Sequence, residues 1–480
     1  ARLSEPSFNG LGALTRVAGE WMAECKFLTS PDFKGLDKLD TVANKWMFKC
    51  LGLTEPSFNG LGALTRVAGE WMAECEYLTS PNFKGLGKLE RVADRWMFKC
   101  TRLNSPSFNG LGALTRVGND WMAECFYLSH PEFQGLGKLE RVADRWMFKC
   151  MNLVYPSFNG LVVLARVGND WMAECDDLSK PNFMGLAQLL TVANKWMFKC
   201  DSLSQPQFSG LAELCTVGDD WMAECEKLIK PDFTGLGNLL TVANKWMFKC
   251  DSLSQPQFIG LDELCTVGDD WMAECDSLIL PNFRGLGKLK TVANKWMFKC
   301  DSLSQPQFIG LDELCTVGDD WMAECDSLIL PNFTGLGKLK TVANKWMFKC
   351  ENFNEPQFIG LVELRIVGND WLAECENLLE PSFFELKKLE FVKQRWMFKC
   401  ENLILPGFKG LDNLAEVGSA WMAECDKLKK PNFAGLKNLT KVHDKWMFQC
   451  AHLISPGFKG LDNLAEVGSA WMAECDKLKK

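Results

Sequence analysis

Cysteine is the residue type with the greatest capacity for chemistry in this sequence. Nineteen of the 22 cysteines recur every 25 residues, from Cys25 to Cys475. The other three, Cys215, Cys265 and Cys315, are spaced fifty residues apart. Thiols at regular spacing could form disulfides, bind a metal or carry out redox chemistry. No C-x-x-C motif occurs, and the sequence has only three histidines, so zinc sites lack ligands at suitable spacing.

The spacing of the cysteines decides between disulfides and free thiols. If each 25-residue unit is one layer of a stack, neighbouring Cα atoms of the main column lie about 5 Å apart, within disulfide range. Side chains stacked in register point in parallel, however, which suits the disulfide dihedral badly. Cys215 and Cys265 would be two layers apart, about 10 Å, which is too far to bond. We therefore predict buried, reduced thiols that act as small apolar side chains.

Known catalytic motifs are absent from the sequence. It has no G-x-S-x-G, no phosphate loop, no H-E-x-x-H and no calcium loop. We predict no enzyme activity, no catalytic residue, no metal site and no cofactor. The net charge of −8 argues against a nucleic-acid partner, and no apolar run is long enough to span a membrane.

A repeat positions all of these residues. Numbered so that the cysteine is repeat position 25, the unit reads x-x-L-x-x-P-x-F-x-G-L-x-x-L-x-x-V-x-x-x-W-M-x-x-C. All 19 prolines lie at position 6 and all 19 tryptophans at position 21. We predict a single continuous solenoid over residues 1–480, a fragment of a longer array without visible caps. Its core has columns of tryptophan and cysteine, which begin with Trp21, Trp46, Trp71, Cys25, Cys50 and Cys75.

Charge at repeat positions 20 and 24 alternates between odd and even units. The alternation begins with Glu20, Lys45, Glu70 and Arg95 at position 20 and with Glu24 and Lys49 at position 24. In a stack each acid would lie between two bases about 5 Å away. A slip by one layer would bring like charges together, so we expect these residues to fix the register.

Two solenoid types fit the repeat. In a leucine-rich-repeat-like coil, L-x-x-P-x-F is a short parallel strand, and L-x-x-V-x-x-x-W-M-x-x-C is a helical or irregular return. In an all-α solenoid of helical hairpins, the spacing of three or four residues between Phe8, Leu11, Leu14 and Val17 is one helical face. Gly10 and its copies interrupt that helix, which favours the coil.

The segment from Val217 to Val242, V-G-x-x-W-M-x-x-C-x-x-L-x-x-P-x-F-x-G-L-x-x-L-x-x-V, resembles the BspA-like leucine-rich repeats. The shared feature is the spacing from valine to cysteine to leucine, and it recurs over the whole chain. Two departures are the proline in the strand and Trp-Met in place of Ala-Phe. The resemblance implies a surface antigen or adhesin, located extracellularly or at the cell surface. Reduced thiols would also fit the cytoplasm.

Apolar residues replace polar ones at repeat positions 4 and 5 of a few units. We term this set the apolar patch: Val154, Tyr155, Ile279, Leu280, Ile329, Leu330, Ile404 and Leu405. Exposed apolar side chains mark contacts, although these could also fold into the core beside the proline. The partner would be a protein. Either chains associate end to end as structural or adhesive filaments, or the concave face of a recognition scaffold binds an unknown ligand.

Overall fold

The computed structural model describes residues 3–478. They divide into two compact units, the first ending at Leu239 and the second beginning at Leu240. Each unit is a parallel β-solenoid in which every 25 residues form one layer. The short parallel strand with an irregular return, predicted for a leucine-rich-repeat-like coil, is confirmed. The all-α alternative is wrong, since residues 3–478 contain no helix.

Each layer contributes one strand of two residues at repeat positions 16 and 17. The strands of the first unit are β1 Arg16–Val17, β2 Thr41–Val42, β3 Arg66–Val67, β4 Arg91–Val92, β5 Arg116–Val117, β6 Arg141–Val142, β7 Arg166–Val167, β8 Thr191–Val192 and β9 Thr216–Val217. The strands of the second unit are β10 Thr241–Val242, β11 Thr266–Val267, β12 Thr291–Val292, β13 Thr316–Val317, β14 Thr341–Val342, β15 Ile366–Val367, β16 Phe391–Val392, β17 Glu416–Val417, β18 Lys441–Val442 and β19 Glu466–Val467. Within each unit successive strands pair in parallel with like repeat positions opposite each other.

The strand therefore lies in the segment that was predicted to be the return. The segment L-x-x-P-x-F, which was predicted to be the strand, does not form a strand. Only single-residue bridges form there, as between Ser7 and Asp32. Proline has no N–H to donate at position 6, so the ladder cannot extend through it. The next residue still bonds across the layers, because Asp32 N donates to the Pro6 carbonyl oxygen at 2.9 Å.

Backbone conformation explains why no helix forms. Gly35, at repeat position 10, has a φ of 89°, and a Cβ there would lie 2.9 Å from the Phe8 carbonyl oxygen of the preceding layer. Repeat positions 20, 22 and 24 also have positive φ in every layer, as at Glu20 (63°), Met22 (57°) and Glu24 (55°). Left-handed residues at alternate positions are incompatible with an α-helix.

This left-handed segment forms a second set of hydrogen bonds between layers. Glu20 N donates to Asn44 O at 2.7 Å, and Glu24 N donates to Phe48 O at 2.6 Å. In the opposite direction, Met47 N donates to Trp21 O at 3.0 Å. These bonds satisfy backbone groups that would otherwise be unpaired beside the core. They offset part of the cost of the left-handed conformation.

The core of each unit is made of columns of identical side chains. The leucines at repeat positions 3, 11 and 14, the phenylalanine at 8 and the tryptophan at 21 are fully buried in the inner layers. Successive indoles stack almost in parallel, as Trp46 and Trp71 do at 5.3 Å between ring centroids and 2° between planes. Phe58 contacts Trp71 edge to face at 5.3 Å. Stacked and edge-to-face pairs both suit the aromatic quadrupole.

Candidate binding surfaces

The apolar patch lies mostly at the surface. Ile279 and Leu280 are 44% and 37% exposed, and Ile329 and Leu330 are 45% and 47% exposed. Tyr155, Ile404 and Leu405 are exposed to a similar degree, while Val154 is half-buried. None of these side chains folds fully into the core beside the proline.

The backbone holds these side chains at fixed places. Ile329 N and Leu330 N both donate to the Ser304 carbonyl oxygen of the preceding layer, at 2.9 and 3.2 Å. Ile279 N and Leu280 N bond to Ser254 O in the same way, at 3.0 and 3.2 Å. These hydrogen bonds fix the backbone of both Ile-Leu pairs against the preceding layer.

A second set of exposed apolar residues was missed by the sequence analysis. We term it the position-9 row: Ile259, Ile309, Ile359 and Phe384, exposed by 54%, 43%, 51% and 48%. Ile309 lines one hollow with Leu280 and Gln257, and Ile359 lines a similar one with Leu330. The signal was in the sequence, because position 9 is asparagine or lysine in most other layers.

The charged columns form ion pairs between layers. Lys45 Nζ lies 3.4 Å from Glu20, and Arg95 lies 3.7 Å from Glu70 on one side and 3.9 Å from Asp120 on the other. At position 24 the pairing is one-sided, since Lys49 contacts Glu74 at 3.2 Å and no ion pair joins it to Glu24 in residues 3–478. At this position each lysine therefore forms an ion pair with the acid of the following layer, as Lys99 also does with Glu124.

Phenylalanine separates the two charged columns in even layers. Lys45 Nζ and Lys49 Nζ lie 5.6 and 4.9 Å from the centre of the Phe48 ring. Both cations therefore contact an aromatic face as well as a carboxylate. At Asp120, burial raises the pKa of the carboxyl, and the guanidinium groups of Arg145 and Arg95 partly oppose that rise.

The cysteine column is inside each unit. Cys50 Sγ donates to Met22 O at 3.0 Å, and Cys75 Sγ donates to Met47 O at 3.1 Å. Burial raises the pKa of Cys100 to about 12. Cys215, Cys265 and Cys315 are half-buried, and no disulfide joins any cysteines within residues 3–478. A protonated, enclosed thiol is a poor nucleophile and a poor metal ligand.

The tryptophan column also lies in the core. Trp21 stacks on Trp46 at 5.5 Å. The indole N–H groups of Trp46, Trp71 and Trp96 have no hydrogen-bond partner among residues 3–478. A buried indole N–H usually has a hydrogen-bond partner. Instead, dense aromatic packing surrounds the indoles.

A polar column at repeat position 19 was also missed. Asp94 Oδ1 accepts from Asn119 N at 2.8 Å, and Asn119 Oδ1 accepts from Asp144 N at 3.1 Å. The column continues where Asp144 Oδ1 accepts from Asn169 N at 2.8 Å. Each side chain thus joins its own layer to the next one, which is a structural role.

No group of three or more histidine, cysteine, aspartate or glutamate side chains within residues 3–478 is arranged to hold a metal ion. In the same stretch, no helix is long and apolar enough to cross a membrane.

No family model and no curated protein matches the sequence. Among solved structures, a leucine-rich repeat protein from Bacteroides ovatus is similar with a TM-score of 0.45 and 14% identity, over 92% of this chain and 87% of that one. A leucine-rich repeat protein from Eubacterium ventriosum has a TM-score of 0.36 and 13% identity, over 70% and 82% of the two chains. A leucine-rich cell surface protein from Faecalibacterium prausnitzii has a TM-score of 0.27 and 11% identity, over 85% and 84%.

Proposed function

We propose that this chain is a non-enzymatic, adhesive repeat protein of the BspA-like leucine-rich-repeat kind, located extracellularly or at the cell surface. It binds a protein partner through the apolar patch and the position-9 row of the second unit. The observation that carries the proposal is the recurrence of exposed isoleucine and leucine at equivalent places in several layers. Isolated apolar residues need no explanation, but a recurring set marks a contact surface.

The exposed apolar side chains could supply useful binding energy. Complete burial of a leucine or isoleucine side chain stabilises by about 1.5–3 kcal/mol. Ile279, Leu280, Ile329 and Leu330 are between 37% and 47% exposed. Covering what remains exposed would contribute roughly 1 kcal/mol for each side chain. Because the backbone beneath them is fixed, little conformational entropy is lost on binding.

The test uses residues that the chain itself accepts at these places. Layers in the same unit carry Ser254-Gln255 and Ser304-Gln305 at positions 4 and 5. The test variant replaces both Ile-Leu pairs, at 279–280 and 329–330, with Ser-Gln. The control is Val362→Asp, which removes an equally exposed apolar side chain (47%) from repeat position 12. Another layer of the same unit has Asp312 at this position.

Beads coated with each protein are applied to surfaces coated with individual extracellular matrix proteins. We expect wild-type and control beads to adhere equally to at least one surface. The fourfold variant should bind at least tenfold less, which corresponds to a loss of about 1.4 kcal/mol or more. Circular dichroism checks that all three proteins are folded. Equal adhesion by the fourfold variant would refute the proposed contact surface.

Two further expectations remain predictions. One is that residues 1–480 form a single continuous solenoid, for which limited proteolysis without an early cut near Leu239 is the test. The other is end-to-end assembly into filaments, which electron microscopy of concentrated protein would detect. Uniform short particles at every concentration would exclude filaments.

A further inference from the structure

Five consecutive strands of the first unit carry arginine at the first of their two residues. We term this set the arginine row: Arg66, Arg91, Arg116, Arg141 and Arg166, in strands β3 to β7. The parallel register places each arginine directly opposite the next. All five side chains are exposed, while the valine that follows each of them is buried. The row therefore presents five cations at intervals of about 4.8 Å.

These guanidinium groups form no ion pair and no side-chain hydrogen bond within residues 3–478. Other arginines of the same layers differ, since Arg95 and Arg145 both contact Asp120. Two exposed carboxylates, Glu90 and Glu140, precede Arg91 and Arg141 in the chain but form no ion pair with them. Repeat position 18, which follows the strand, is alanine or glycine in these layers. The donors of the row are consequently accessible.

The fold does not require arginine at this position. Strands β8 and β9 have threonine there, and so do β10 to β14 in the second unit. Placing like charges directly opposite each other on neighbouring strands is destabilising. Five arginines in succession therefore oppose stability where threonine would fit the same register. A ligand that neutralised the row would remove this repulsion.

We infer that the arginine row binds a linear polyanion that runs along the stack, specifically a sulfated polysaccharide. The planar guanidinium fork can donate two parallel hydrogen bonds to one sulfate group. A polymer with an anionic group on each monomer can contact successive layers with successive groups. This surface is independent of the apolar patch, so it adds a second kind of ligand to the adhesive role.

Single-stranded nucleic acid is the competing ligand with similar charge. Proteins that bind it combine basic grooves with aromatic side chains on which the bases stack. Position 18 beside the row is small, and the exposed aromatic residues of these layers lie at other repeat positions, such as Tyr77 at position 2 and Tyr155 at position 5. The row therefore offers charge without stacking, which favours the polysaccharide.

The test is binding of immobilised heparin, a sulfated polysaccharide, by the full chain at several salt concentrations. The main variant is Arg91→Thr with Arg116→Thr and Arg141→Thr, which introduces the residue that β8 and β9 carry in the same register. The matched control is Lys180→Gln with Lys227→Gln and Lys230→Gln. It removes three exposed cations from the same unit outside the row and changes the net charge equally.

We expect wild-type chain and control to bind heparin with similar affinity at 0.15 M salt. The arginine variant should bind at least tenfold more weakly. The slope of log affinity against log salt concentration should become shallower by roughly 1 for each arginine removed, because each arginine contacts one anionic group. A variant with lysine at the same three positions should retain part of the affinity, because it keeps the charge but loses the fork.

Two outcomes would overturn the inference. Equal heparin binding by the arginine-to-threonine variant and the wild type would show that the row is not the site. A thymidine oligonucleotide of equal charge that bound the row as tightly as heparin would contradict the assignment to a sulfated polysaccharide. Loss of protein adhesion in the fourfold Ser-Gln variant is measured separately, so the two proposals can fail independently.

Discussion

Substitution of Ala420 by glycine should stabilise the protein, although the change only removes a methyl group. Ala420 lies at repeat position 20 with a φ of 59°, and it has no charge to pair. The left-handed region costs an L-residue about 1–2 kcal/mol, and glycine avoids that cost. Glycine in turn loses about 0.5–1 kcal/mol through its greater freedom in the unfolded chain. The expected net gain is about 0.5–1 kcal/mol.

Ala415 provides the matched control. It lies five residues earlier in the same layer, is exposed, and does not have a positive φ. Ala415→Gly should therefore lose about 0.5–1 kcal/mol. The two urea denaturation midpoints should therefore move in opposite directions, each by an amount that corresponds to about 0.5–1 kcal/mol. If Ala420→Gly destabilised the protein as much as Ala415→Gly, the left-handed backbone at position 20 would be wrong.

Two further predictions concern the turn and the thiols. Gly60 has a φ of 101°, and a Cβ there would meet the Phe33 carbonyl oxygen, so Gly60→Ala should cost about 2–4 kcal/mol in urea unfolding. Gly62→Ala, with nothing within 4 Å of the new methyl, should cost almost nothing, and equal losses would contradict this turn geometry. Burial raises the pKa of Cys100, Cys150 and Cys225 from 9.0 to about 12. Above pH 9 these thiols ionise in the unfolded chain while they stay protonated in the folded one. The free energy of unfolding should therefore be constant below pH 9 and fall as the pH rises towards 12. Thermal unfolding from pH 7 to 11 measures this, and a midpoint that did not change would refute it.

The repeat made the solenoid predictable, because a 25-residue unit cannot bury its own apolar face and must share it with neighbours. The strand was placed wrongly for a local reason. Phe8 and Leu3 suggested a strand around Pro6, yet the proline removes a donor there, and the ladder forms at positions 16 and 17 instead.

Other features could not be predicted from residue types. Methionine has no preference for positive φ, so nothing at Met22 or its copies indicates the left-handed segment. The one-sided pairing of Lys49 with Glu74 depends on side-chain directions that an alternating charge pattern does not contain. The arginines of the arginine row can be found in the sequence at repeat position 16. That their side chains are exposed and form no ion pair within residues 3–478 follows only from the structure and the register of its strands.

The most direct test of the layered stack is an experimental density map that resolves the indole rings. Within each unit, tryptophans 25 residues apart should stack nearly in parallel with ring centroids 5.2–5.6 Å apart, as in Trp346 with Trp371 and Trp446 with Trp471. A map in which neighbouring indoles lay far apart or at scattered angles would contradict the stack and the surfaces derived from it.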